Sequence, residues 1–207
     1  MGFIHKLTFL PRFIRQGFFK WFNPIMFKSA GATIGKHFKA YNRVYLKFYK
    51  GAKLTIGDNF MLFSGDTINP IAKNIKASIF LNNNAQLIIG NHVGMSSPTI
   101  RCNEKITIGN NVRLGALVTI IDTDSHSLNY LDRRIGGETD KRNTKNKPVI
   151  IEDDALIGAY SIILKGSHIG ARSIIGAGSV VAGDIPSDCI AAGNPCKVIK
   201  KLITENE

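Results

Sequence analysis

From Ile151 onward the apolar positions recur every six residues: Ile151, Ile157, Ile163, Ile169, Ile175 and Val181 each open a hexad. A small residue follows four places later, at Ala155, Ser161, Ser167, Ser173 and Ser179. Six residues of α-helix turn through about 600°, so a helix cannot keep these positions on one face. A single long strand is equally poor, because glycines interrupt the run and weaken a ladder. Short strands wound into a coil satisfy both facts. If each hexad is one flat side and three sides close a turn, the aliphatic residues stack inside a triangular prism. The small residues then fit near its corners. The pattern predicts an all-β chain built on a parallel β-helix.

Earlier segments carry the same marks less regularly. Ile-Gly pairs stand at Ile34, Ile56, Ile89 and Ile108, often followed by Asn or Asp, which with Gly tolerate the left-handed backbone of tight corners. Ile108, Leu114 and Ile120 keep step, with Val112 and Val118 in the small-residue places. Counting in sixes from Ile89 through Met95 lands on Arg101, one short of Cys102, which predicts a one-residue bulge near Arg101. Cys102 is expected to fill core. Residues 35–55 and 61–80 fit the repeat worst, so irregular or decorated coils are expected there. The coil is assigned to residues 31–190 and a tail to 191–207, turned at Gly193-Asn-Pro195 with Ile199 and Leu202 packing back.

Residues 1–30 change period. Phe3, Leu7, Leu10, Ile14, Phe18, Trp21 and Ile25 advance in steps of three and four, predicting a helix that Pro11 starts or divides. Charge is concentrated here. The chain holds 27 Lys/Arg against 15 Asp/Glu, net +12, yet no acidic residue precedes Asp58 and residues 1–57 carry 11 of the basic groups. Such asymmetry suits an anionic partner. Lys6, Arg12, Arg15 and Lys20 break every long apolar run, so neither a transmembrane span of ~20 apolar residues nor a signal peptide is expected. Two readings stand: a helix capping the open end of the coil, or an amphipathic helix on an anionic bilayer, with membrane contact through residues 1–28. Nucleic acid is not expected, since no recognised binding module accompanies the basic residues. Three cysteines, Cys102, Cys189 and Cys196, form no zinc or disulfide pattern and fit a reducing cytoplasm.

The hexads stop at Ile120-Ile-Asp122-Thr-Asp124-Ser-His126, and a polar stretch runs from Ser127 to Lys147 before Pro148-Val149 restores the coil. Roughly 20 residues without a strand pattern inside a compact domain are usually functional or disordered. This arrangement resembles the hexapeptide-repeat acyltransferases of the sugar and surface-polysaccharide O-acetyltransferase type. The resemblance rests on Asp122-Thr-Asp124-Ser-His126, the Lys147-Pro148-Val149 return, Gly176-Ala-Gly-Ser-Val-Val181, Asp184-Ile-Pro186 and Gly193-Asn-Pro195-Cys-Lys197, over about residues 85–201.

The resemblance implies a left-handed coil, a homotrimer, acetyl-CoA as co-substrate, a sugar hydroxyl as acceptor and a cytoplasmic site, peripheral to the membrane if the helix binds it. It makes His126 the general base; an imidazole suits the role because its unperturbed pKa is ~6.5. Asp124 either fixes the ring or serves the turn. By position the resemblance assigns Ala159, Ala177, Lys197 and Lys200 to the cofactor, with a solvated tail as the other reading of the lysines. Ser96 and Ser97, about one coil before His126, line the acceptor pocket or form a polar corner. Two departures weaken the cofactor assignment: Gly183 where members have Lys before Asp-Ile-Pro, and Leu156 where they have Trp. No metal is expected, because Leu131 stands where related γ-carbonic anhydrases place a second His. N-acetylation of an amino sugar, serine O-acetylation and a non-enzymatic scaffold remain as alternatives.

Overall fold

The computed structural model describes residues 3–65 and 69–202, and side chains from residue 13 onward. After the helix α1 (Phe3–Ser29), the chain winds through short parallel strands on three faces. Among the described residues the first face holds seven strands, from Thr33–Ile34 to Asp184–Ile185. The second holds eight, from Lys39–Tyr41 to Cys196–Lys201, and the third six, from Tyr45–Phe48 to Val180–Val181. Every third strand pairs, as a three-sided coil requires. The architecture is the expected left-handed parallel β-helix.

The core is three ladders. On the first face Ile34, Ile56, Ile89, Ile108, Ile151, Ile169 and Ile185 lie in register one above the next. Leu46, Ile79, Ile100, Ile120, Ile163 and Val181 form the third-face ladder. The second-face ladder runs Ala40, Leu62, Met95, Leu114, Ile157, Ile175 and Ala191. Each fully buried Ile or Leu contributes roughly 1.5–3 kcal/mol, so the axis carries most of the stability. Ala155, Ser161, Ser167, Ser173 and Ser179 are buried at the corners as the hexads predict. Ser161, Ser167 and Ser173 donate their hydroxyls to carbonyls of the next coil.

The glycines of the Ile-Gly pairs serve a different purpose from the expected one. The left-handed residues are those two places later, among them Asn59, His92, Asn111 and Arg172. Glycine is needed because stacked coils touch there: a Cβ on Gly158 would lie 2.4 Å from Ala177 N, and one on Gly90 2.7 Å from Gly109 C. The following Asx side chains form a second ladder. Asp58, Asn91, Asn110 and Asp153 each accept, through Oδ1, the backbone N–H of the coil before: Lys36 (2.7 Å), Asp58 (2.8 Å), Asn91 (2.9 Å) and Asn110 (2.7 Å).

Three expectations need correction. Arg101 keeps register with both Phe80 and Ile121, so it is not a bulge; Ile100 points inward five residues after Met95, one short of a hexad. The missing residue shows as Gly115, which has no partner between Leu114↔Met95 and Ala116↔Ser96. Residues 35–55 form regular strands, and the irregularity is confined to the insertion around the 3-10 turn Pro70–Ala72. The tail is a strand, Cys196–Lys201, antiparallel to Cys189–Gly193.

Helix α1 runs unbroken through Pro11 and Pro24. It docks by Phe27, fully buried against the Phe38 ring at 5.0 Å, and by Asn23, whose Nδ2 donates to Ala40 O (2.8 Å) and Asn42 O (2.9 Å). The capping role is therefore present. The periodic stripe is left largely uncovered: Ile14, Phe18, Trp21 and Ile25 are all at least half exposed, and Phe18 borders a hollow with Val44 and Leu46 of the coil. Among the described residues no helix is long and apolar enough to cross a membrane.

Candidate active site

The polar segment after the fourth coil leaves and returns at one place. Thr123 bridges Asn146 in antiparallel fashion, Asp124 N–H donates to Lys145 O (3.0 Å) and Lys147 N–H to Asp122 O (2.9 Å). Asp122 is buried and anchors this exit. Its carboxylate accepts the N–H groups of Asn103 (2.6 Å) and Glu104 (2.8 Å) one coil earlier. The stretch expected to lack structure contains two short helices, α2 (Tyr130–Ile135), capped by Asn129 Oδ1, and α3 (Gly137–Asn143). They are tied together by Asp132, which accepts from Ser127 Oγ (2.7 Å) and Asn143 Nδ2 (2.9 Å). Those bonds, Ser127's first, hold the Asp132 carboxyl below its usual range.

Helix α3 delivers Asp140 to His126. His126 Nδ1 lies 2.6 Å from Asp140 Oδ2, and Asp140 Oδ1 accepts Ser127 N–H at 2.7 Å. The His126 bond, then that of Ser127, keeps the Asp140 carboxyl below the ordinary carboxylate range. An ionised carboxylate only accepts, so Nδ1 carries the hydrogen, and in the neutral ring Nε2 is then the nitrogen with the lone pair. The Asp140 side chain is 12% exposed and that of His126 68%, so a sheltered orienter holds an accessible ring. This is the base-and-orienter geometry of general-base catalysis. Asp124 does not orient the ring. It faces inward to Lys165, whose Nζ lies 3.4 Å from Oδ2, because the backbone bond to Lys145 fixes its direction. Nothing in spacing singled out Asp140, which lies 14 residues away and reaches His126 only after α2 and α3 fold back.

The other candidate residues lie elsewhere on the prism. Ser96 is buried on the second face beside a groove with His92 and Arg113, and Ser97 Oγ accepts Gly65 N–H at 2.8 Å. Neither lines the cleft that reaches Ser125. Ala159 and Ala177 stack at the corner between the second and third faces. Ala177 has no side-chain acceptor to offer the coil before it, unlike the Asx corners. Lys197 and Lys200 are exposed on the terminal strand, which extends the second face. His126 follows the third face at its opposite edge. Within one chain, then, Ala159 and Ala177 stand where the third face begins and His126 follows the strand where it ends, while Lys197 and Lys200 lie on the second face.

A cleft of about 510 Å³ reaches Ser125, the residue before His126. Its walls are Tyr49, Phe80, Arg101 and Asn103 from the first three coils, and Ser125, Glu138, Lys141 and Thr144 from the excursion. Sequence reading missed this wall. The available signal was Arg101 itself, an outward cation between the inward Ile100 and Cys102.

Residues 148–183 match the family described as "Bacterial transferase hexapeptide (six repeats)". Over this stretch the chain is similar to the hexapeptide-repeat transferases. Its sequence is 42% identical over 97 residues to the galactoside O-acetyltransferase of Lactococcus lactis, covering 47% of this chain and 44% of that enzyme. It is 55% identical over 53 residues to the 2,3,4,5-tetrahydropyridine-2,6-dicarboxylate N-acetyltransferase of Staphylococcus aureus, covering 26% of this chain and 22% of that enzyme. The chain thus spans less than half the length of these curated relatives. A solved hexapeptide-repeat acetyltransferase from Vibrio cholerae O1 biovar eltor, complexed with acetyl coenzyme A, superimposes with a TM-score of 0.51 at 27% identity, over 77% of this chain and 72% of that one. The His126–Asp140 pair occupies the point where the coil is interrupted.

Proposed function

We propose that the protein transfers an acetyl group from acetyl-CoA to a sugar hydroxyl, with His126 as general base. The observation that carries this reading is the accessible imidazole held through Nδ1 by Asp140. The acceptor hydroxyl gives its proton to Nε2 as its oxygen attacks the acetyl carbonyl, and Nε2 returns the proton to the departing thiolate. Asp140 keeps the tautomer and steadies the transient imidazolium. No nucleophilic side chain takes part.

The residues present fit the co-substrate. Its thioester supplies an activated acetyl group. Lys197 and Lys200 would meet its phosphates, and the backbone at Ala159 and Ala177, free of side-chain bulk, would receive its narrow arm. Because Ala159 and Ala177 lie at the opposite edge of the third face from His126, and the two lysines lie on the second face, we infer that a partner copy completes each site, as in a homotrimer. The exposed stripe of Ile14, Phe18, Trp21 and Ile25, near Lys20 and Lys28, supports contact with an anionic bilayer and a cytoplasmic site beside the membrane. Vesicle flotation with and without residues 1–28 tests that contact; equal behaviour removes it.

The likeness to an N-acetyltransferase supports a second reading, acetylation of an amino group. Turnover with acetyl-CoA and paired hydroxyl and amino sugars separates the two. His126→Ala should reduce kcat by about two to four orders of magnitude, the usual worth of a general base. Unchanged turnover removes the role of His126.

A further inference from the structure

The cleft that reaches Ser125, next in sequence to His126, carries an unusual set of cations and aromatic rings. Outward residues Lys47, Phe80, Arg101 and Ile121 lie in register on four successive coils of the third face. Successive strands are ~4.8 Å apart, so this track leads over about 14 Å to the coil that ends at His126. Phe80 and Tyr49 form an aromatic wall with centroids 5.4 Å apart. Lys47 Nζ stands 5.2 Å from the Tyr49 centroid, and Arg101 Cζ stands 5.6 Å from that of Phe80.

Two polar atoms at the cleft are buried without a hydrogen-bond partner among the described residues: Arg101 Nε and Asn103 Oδ1. A buried donor left unmade costs free energy, and a charged one more, so such a pair marks a place where a ligand supplies the missing bonds. The carboxylate on the cleft wall, Glu138, is engaged by Lys141 Nζ at 2.9 Å and does not neutralise Arg101. Guanidinium suits a planar, two-oxygen anion, and a neutral ring would leave it unpaired.

We propose that the acceptor is an acidic sugar. Its carboxylate or phosphate meets the guanidinium of Arg101, and its ring lies beside Phe80 and Tyr49, with Asn103 lining the same cleft. The proposal rests on the acetyl-transfer reading for its purpose, but its test does not. The full-length protein, without acetyl-CoA, is titrated calorimetrically with three matched oligosaccharides: one ending in a hexuronate, one bearing a phosphate and one neutral. At least one acidic ligand should bind tenfold or more tightly than the neutral one, and this margin should shrink with salt. The uronate and phosphate arms identify the anion. Arg101→Gln should remove at least tenfold of acidic affinity and change neutral affinity by less than threefold; Arg101→Lys should retain part of the preference. Melting temperatures of both variants check folding. Equal affinities, no binding by either acidic ligand, or an undiminished preference in folded Arg101→Gln would overturn the proposal. Acidic binding without acetylation would keep the site and discard the transfer reading.

Discussion

His126 owes its orientation to a carboxylate that the chain returns to it from α3. Replacing Asp140 by Asn keeps the shape but lets the amide donate, which favours the wrong imidazole tautomer. Asp140→Asn should therefore lower kcat by about ten- to a thousandfold, with KM for acetyl-CoA nearly unchanged. Steady-state kinetics with saturating acceptor read both. Asp124→Asn should cost much less, because that carboxylate faces Lys165 and not the ring. The sequence singled out His126 by its place at the break in the hexads. It could not single out Asp140, since any of the loop's acidic residues had equal standing until α2 and α3 packed.

At the scale of the element, the corners are where coils meet backbone to backbone. A methyl at Gly158 would meet Ala177 N at 2.4 Å, and no side-chain rotation relieves that contact. Gly158→Ala should destabilise the protein by about 3 kcal/mol, as overpacking of a fixed site does. Gly183→Ala is the control: its Cβ meets nothing within 4 Å, so its effect should stay within about 0.5 kcal/mol. Urea unfolding measures both. The repeat was legible here because a coil imposes the same contact every turn. The excursion was not, because α2 and α3 are too short to show a period and depend on Asp132 and Asn129 for their ends.

For the whole molecule, the carboxylates with shifted titration all move in one direction. Asp132, Asp140, Glu152, Asp153 and Asp188 are held low by hydrogen bonds, first of all from Ser127, His126, His168, Asn110 and Arg172 respectively. A carboxyl depressed in the folded state contributes stability that is complete above its unfolded value, about 4, and is lost as pH falls through the folded one. Tm should change little from these groups between pH 5 and 7 and fall below about pH 4; Asp153→Asn should flatten that fall. Assembly is tested by complementation. His126→Ala co-expressed with a Lys197→Glu/Lys200→Glu double variant should recover measurable turnover if the proposed trimer forms, because a mixed assembly would then contain one intact composite site. Turnover no greater than that of either variant alone would remove the shared site.

The sequence by itself determined the coil, its three-sided section, its inward ladders and the place where it breaks, because each follows from contacts repeated at a fixed spacing. Only the tertiary structure decided what stands at the break. Arg101, Tyr49, Phe80 and Glu138 come from separate coils and a folded excursion, and their meeting at one cleft depends on how many residues each turn takes, including the one omitted after Met95. It also decided which side of α1 is buried. The regular apolar stripe is left largely uncovered, while the helix is held by Asn23 and Phe27, since a coil's open end offers carbonyls and one aromatic socket to whatever covers it.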